Sequence, residues 1–124
     1  MGKRILVVED EPETAEILQR LLERRGYQVS VSMNGKEALE KINKDPPDLV
    51  ILDLNLPKLP GEEVCKEIRK DEKLKDIPVV MLTGKSSDTD KVIGKVIGAD
   101  FYLTKPIEVD NLLRVVGDIL GKVQ

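Results

Sequence analysis

Five apolar runs recur along this chain, each followed by a segment of helical periodicity, and that alternation restricts the fold more than any other feature. Ile5 to Val8 and Leu49 to Leu52 are continuous apolar runs, the pattern of strands buried on both faces of a parallel sheet. Tyr27, Val29, Val31 and Met33 instead alternate with Gln28, Ser30 and Ser32, which predicts a half-exposed strand at the sheet edge. Pro78 to Leu82 and Phe101 to Leu103 complete the set. Between them, Ala15, Leu18, Leu21 and Leu22 recur at helical spacing, opened by Asp10-Glu11-Pro12 and stopped at Gly26. Asn34 and Glu37 form a capping box for a second helix ending near Asn43. A third, about Glu62 to Lys70, buries Val64, Cys65 and Ile68. Ser87 to Asp90 caps a fourth, which sets Val92, Ile93, Val96 and Ile97 on one face before Gly98. The last, from about Glu108, buries Val109, Leu112, Leu113 and Val116. The pattern is βα repeated five times, an α/β architecture around a parallel sheet.

At 124 residues the chain is expected to be a single domain, 1–124, with a core large enough to need neither disulfide nor zinc. The lone Cys65 sits among apolar helical positions and reads as a small buried hydrophobe. No apolar run approaches the roughly 20 residues of a membrane span and no signal peptide is seen, so a soluble cytoplasmic protein is expected. A net charge of -3 offers no global attraction to nucleic acid. The absence of histidine removes the usual acid–base catalyst, the commonest metal ligand and any phosphohistidine on this chain.

Four of the five apolar runs end at residues able to handle phosphate or metal: Glu9 and Asp10, Asp53, Thr83, and Lys105. In open α/β sheets ligands bind beyond the carboxyl ends of the strands, so these residues are expected to converge on one pocket. Three acids in a partly buried site repel, and a divalent cation relieves the repulsion; oxygen ligands without histidine suit Mg2+, with Mn2+ also possible. Once screened, Asp53 can attack phosphorus, while the Lys105 ammonium and the Thr83 hydroxyl bind phosphoryl oxygens. Gly84, without a side chain, lets backbone approach the phosphoryl group. The loop from Leu54 to Pro60, with two prolines, continues neither strand nor helix and is an active-site loop candidate.

Ile5-Leu-Val-Val-Glu-Asp10, Val50-Ile-Leu-Asp53 with Leu56-Pro57 and Pro60-Gly61, Val79-Val-Met-Leu-Thr83, and Gly98-Ala-Asp100 leading to Tyr102-Leu-Thr-Lys105-Pro106 are, in this order and spacing, similar to the receiver domain of two-component response regulators. The resemblance covers essentially the whole chain. It implies a flavodoxin-like (βα)5 three-layer sandwich with strand order 2-1-3-4-5. It implies that Asp53 is the phosphorylated aspartate, that Glu9, Asp10, Asp53 and the Asn55 backbone carbonyl hold magnesium, and that Thr83 and Lys105 sense the phosphoryl group. It further implies a cis peptide before Pro106, a switch role for Tyr102, and a shift of the helix four, strand five and helix five face on phosphorylation. The implied partners are a histidine kinase or phosphotransfer protein and a downstream effector or fused domain, with a homodimer possible and no direct nucleic-acid or membrane binding. Such a module is a signalling phosphoacceptor rather than an enzyme, catalysing only its own phosphoryl transfer and autodephosphorylation.

Departures from the family pattern are local. Glu9 stands where aspartate is more usual, so its reach to the metal differs by a methylene. Phe101 replaces a position often acidic, leaving an apolar surface beside Tyr102, readable as local packing or as a docking patch. Asn55 and Lys85 flank the expected path of a hydrolytic water. An aspartyl phosphatase of the haloacid dehalogenase type also places an aspartate after a strand, but its second acid is Asn55 here. A dinucleotide-binding module fails because Glu9-Asp10-Glu11-Pro12 replaces the glycine-rich turn. A receiver used purely as a docking scaffold stays open through Glu9.

Overall fold

The apolar runs form a five-stranded, all-parallel sheet: β1 (Arg4–Val8), β2 (Gln28–Ser32), β3 (Leu49–Asp53), β4 (Val79–Thr83) and β5 (Phe101–Thr104), in the order β2-β1-β3-β4-β5. The structure is a computed structural model and describes residues 2–84 and 98–121. Helices α1 (Pro12–Arg24), α2 (Gly35–Lys44) and α3 (Gly61–Lys70), with a C-terminal helix (Val109–Leu120), accompany the sheet. The expected capping box at Ser87 to Asp90 and the helix through Val92 to Ile97 lie outside the described residues. Among those described, no helix is long and apolar enough to cross a membrane.

Strand alternation sorts the core into two layers. Leu6, Val8, Val50, Leu52, Val79 and Met81 pack with Ala38, Ile42, Val64, Cys65 and Ile68 of α2 and α3. Ile5, Val7, Leu49, Ile51, Val80, Leu82 and Leu103 pack with Leu18 and Leu22 of α1 and with Leu112, Val115 and Val116 of the C-terminal helix. Both faces of the sheet are therefore covered, which is why β1, β3 and β4 read as unbroken apolar runs. Cys65 is fully buried, as its helical position predicts, and burial pushes its thiol pKa up, away from reactivity.

Local signals place the element ends. Pro12 opens α1 after Glu11, Gly26 takes φ 93° just past its end, and the Asn34 side chain accepts a hydrogen bond from the Glu37 N–H at 2.9 Å. The Pro78 carbonyl already accepts from the Val50 N–H at 3.0 Å, although the regular strand begins at Val79, because proline has no N–H to give the ladder.

Three expectations need correction. Ser32 is fully buried rather than on a polar face, because β2 runs under α2 at its carboxyl end. Val109 is 41% exposed, since it occupies the first turn of the C-terminal helix, where the chain has not yet reached the sheet. Leu113 is only half-buried in the same helix.

Close backbone contact fixes how α3 starts. A Cβ on Gly61 would stand 2.2 Å from the Asp53 carbonyl oxygen and 2.9 Å from Leu54 Cα, and the Gly61 N–H donates to the Leu54 carbonyl at 3.1 Å. At Gly117, inside the C-terminal helix, a Cβ meets nothing within 4 Å. Urea unfolding is therefore expected to show Gly61→Ala destabilised by about 1–3 kcal/mol through overpacking. Gly117→Ala should gain about 0.5–1 kcal/mol from reduced chain entropy. Equal effects of the two would contradict the close approach at Gly61.

Candidate functional site

Beyond the carboxyl edge of the sheet, carboxylate oxygens of Glu9, Asp10 and Asp53 lie within 4.8 Å of one another. Glu9 and Asp53 are buried, whereas Asp10 is exposed. Glu9 follows β1 directly and Asp53 closes β3, so the register pairing Val8 with Leu52 brings them side by side. Lys105, one residue after β5, is held by its N–H donating to the Thr83 carbonyl at 2.8 Å. Its ammonium donates to Asp53 Oδ2 at 3.0 Å and stands 3.1 Å from Glu9 Oε1. The other Asp53 oxygen accepts from the Asn55 N–H at 3.1 Å. The Lys105-Pro106 peptide is cis, as the family resemblance implies.

Two unit charges at 4.8 Å repel by about 3 kcal/mol at an effective dielectric of about 20. Three such acids meet one ammonium here, so the cluster remains electron-rich. Burial, reinforced by the Asp53 charge, pushes the Glu9 pKa up from 4.5 to about 7, although Lys105 pulls the other way. Burial disfavours the Lys105 ammonium, but its hydrogen bond to Asp53 and the attraction of Glu9 outweigh that and raise its pKa. Lys105 lies at ion-pair distance from Glu9 Oε1 but outside hydrogen-bonding geometry, and this buried oxygen has no hydrogen-bond partner among the described residues. An orphaned carboxylate oxygen beside two further acids fits a hard divalent cation, which takes oxygen ligands and keeps several waters.

The sheet's alternation also divides the site. Glu9, Asp53 and Lys105 continue the parity of Ile5, Val7, Ile51 and Leu103, on the face of α1 and the C-terminal helix. Thr83 continues that of Val79 and Met81, on the opposite face, where Tyr102 also packs. Thr83 is buried and its hydroxyl donates to the Leu103 carbonyl at 3.4 Å, so it stands at the rim with its proton turned toward β5. A Cβ at Gly84 would meet nothing within 4 Å, which leaves the backbone beside Thr83 accessible. Lys85 lies outside the described residues. Phe101 is 44% exposed and its ring lies 6.5 Å from that of Tyr102, so an apolar surface does stand beside Tyr102.

Three features escaped the sequence reading. Arg69, on the last turn of α3, donates to the carbonyls of Gly98, Lys75 and Ile77 and pairs with Asp100 Oδ2 at 2.7 Å. Asp100 in turn accepts from the Val79 N–H at 2.8 Å and so ties the start of β4 to the start of β5. Lys58, between the two prolines of the loop after β3, adopts φ 67°. An apolar groove of about 480 Å³ opens beside Lys105, walled by Ile17, Leu21, Pro106, Ile107 and Val109. Ile17 is 57% exposed there, and a large apolar side chain facing outward from an amphipathic helix was the available signal.

Residues 5–117 match the family model described as the response regulator receiver domain. The chain is 49% identical over 106 residues to the alkaline phosphatase synthesis transcriptional regulatory protein PhoP of Bacillus subtilis (strain 168), a match that covers 86% of this chain and 43% of that protein. Its structure superposes on the chemotaxis response regulator CheY4 of Vibrio cholerae with a TM-score of 0.90 at 32% identity, covering 96% of this chain and 99% of the other. The receiver domain of a Pseudomonas aeruginosa sensor histidine kinase, solved with a magnesium ion coordinated in its active-site cleft, superposes with a TM-score of 0.90 at 29% identity over 98% of this chain and 100% of that one.

The raised Glu9 pKa sets a pH dependence. Between 4.5 and about 7 the folded state holds a proton on Glu9 that the unfolded chain releases, so this contribution to stability is full below about pH 4.5 and is lost as pH rises through about 7. In chelator, the stability difference between the parent chain and Glu9→Gln is expected to shift against the parent across that window, as read by urea midpoints. Parallel pH curves for the two would refute it.

Proposed function

The chain belongs to the response regulator receiver domain family, and from that premise we propose that it is the phosphoacceptor of a two-component or phosphorelay system, with Asp53 as acceptor. The observation that carries the reading is the Lys105 ammonium 3.0 Å from Asp53 Oδ2, beside two further acids. An Asp53 carboxylate oxygen attacks the phosphorus of a partner's phosphohistidine. The P–O bond forms as the P–N bond breaks, and the imidazole nitrogen leaves with the electron pair and takes up a proton. Lys105 neutralises one oxygen of the transferring group, and Thr83 turns its hydroxyl from the Leu103 carbonyl to another. Glu9, Asp10, Asp53 and the Asn55 carbonyl would hold Mg2+, or Mn2+, which when bound supplies the remaining charge neutralisation.

Supporting the partner assignment, the groove beside Lys105 has apolar walls and two outward side chains, Ile17 and Val109, suited to a helix of a histidine kinase or phosphotransfer protein. Residues 1–124 act as one receiver domain in the cytoplasm, and any output on DNA belongs to a separate effector or fused domain. Phosphorylation shifts the population of the face formed by β5 and the C-terminal helix, with Tyr102 turning as Thr83 moves; the helix-four part of the expected face lies outside the described residues. The module does no chemistry beyond its own phosphorylation and autodephosphorylation, whose rate Asn55 and Lys85 tune.

Intact-mass spectrometry after incubation with acetyl phosphate and magnesium tests the reading. One labile phosphoryl adduct is expected, absent for Asp53→Asn and absent without divalent metal. Lys105→Met should slow labelling about a hundredfold, as loss of a charge-stabilising donor does. An adduct that survives in Asp53→Asn would place the acceptor elsewhere and sink the assignment.

A further inference from the structure

The free edge of β2 is occupied in an unusual way. The Gln28 N–H donates to the Lys3 carbonyl at 2.9 Å and the Glu9 N–H donates to the Ser32 carbonyl at 3.0 Å, so Gln28, Ser30 and Ser32 turn their backbone groups toward β1. Val29 and Val31 therefore turn theirs outward, where an edge strand offers a template to another chain. Both outward carbonyls are taken by side chains. Lys41 Nζ, from α2 on one face of the sheet, donates to the Val31 carbonyl at 2.5 Å. Gln19 Nε2, from α1 on the other face, reaches the Val29 carbonyl at 3.5 Å. Each is steadied by an acid one turn away on its own helix: Glu37 lies 3.4 Å from Lys41 Nζ, and Glu23 accepts from Gln19 Nε2 at 3.4 Å.

We propose that β2 is a pairing surface for β2 of a second copy of this chain, and that Gln19 and Lys41 hold that surface closed. The occupant follows from symmetry. An antiparallel partner related by a two-fold at Ser30 sets Val29 opposite the other copy's Val31, so the two outward residues of each strand exchange N–H···O bonds in both directions. The same approach strips Lys41 from its carbonyl in both copies and brings two ammoniums together at the seam. Like-charge juxtaposition then opposes the wrong assembly.

Sedimentation equilibrium over micromolar to millimolar concentration tests this on the chain as it stands. The parent is expected to hold the mass of one chain, 13.9 kDa. Gln19→Ala combined with Lys41→Ala should rise toward twice that mass with concentration. Adding Val31→Pro, which removes an outward N–H without breaking the ladder to β1, should return it to one chain. A double variant as monomeric as the parent overturns the proposal, and so does association that persists with Val31→Pro. Should the proline variant fail to fold, amide exchange decides: protection at Val29 and Val31 must grow on concentrating the double variant, and unchanged protection overturns it.

Discussion

Everything at the carboxyl edge of the sheet depends on one ammonium that pairs with two of three clustered carboxylates. Lys105 satisfies an oxygen of Asp53 and leans on Glu9, but a single positive charge cannot balance three negative ones in a partly buried cleft. Burial, reinforced by the Asp53 charge, pushes the Glu9 carboxyl up to about 7, and one buried oxygen of it has no hydrogen bond among the described residues. Both are signs of a place prepared for more positive charge than the chain itself carries. The extra methylene of Glu9 matters here, because it lets the carboxylate reach the lysine while its other oxygen accepts from the Glu11 N–H at 3.3 Å.

The fold was legible because it is written in periodicity. Strands covered on both faces need apolar interiors, and Ile5 to Val8 of β1, Leu49 to Leu52 of β3 and Val79 to Leu82 of β4 supply them; the half-exposed β2 alternates and sits at the edge. Helix ends were legible where one residue carries the signal, as at Pro12, Asn34 and Gly26. Misreadings arose where burial depends on what lies above a strand or helix end. Ser32 is polar by composition but roofed by α2, and Val109 is apolar but precedes the point where its helix meets the sheet.

The site was legible as a set of strand ends and less so as a geometry. Reading only the ends treats Thr83 as equivalent to Asp53. Counting alternation backward into the core separates them: Asp53 follows Ile51 and Leu49, while Thr83 follows Met81 and Val79 on the other face. The parity was present in the sequence, and it places Glu9, Asp53 and Lys105 on one side of the sheet and the Thr83 hydroxyl with Tyr102 on the other. Arg69 was not legible by any period. Its partners are three backbone carbonyls and Asp100, which become neighbours only after the chain has folded.

That division suits the proposed switch on phosphorylation of Asp53. A group added to Asp53 meets Lys105 on its own face at once, and recruiting Thr83 means drawing a side chain across the sheet edge, away from the Leu103 carbonyl it now uses. Tyr102 shares the Thr83 face and strand β5 carries both Tyr102 and the approach to Lys105, so in the proposed function a pull on the hydroxyl would act on the strand that bears the ring. The far end of β5 resists the same pull, because Asp100 bonds to Val79 through backbone and side chain and is backed by Arg69. A strand anchored at its start and loaded at its end confines rearrangement to the carboxyl edge, where the charge imbalance already concentrates the free energy that a phosphoryl group would redistribute.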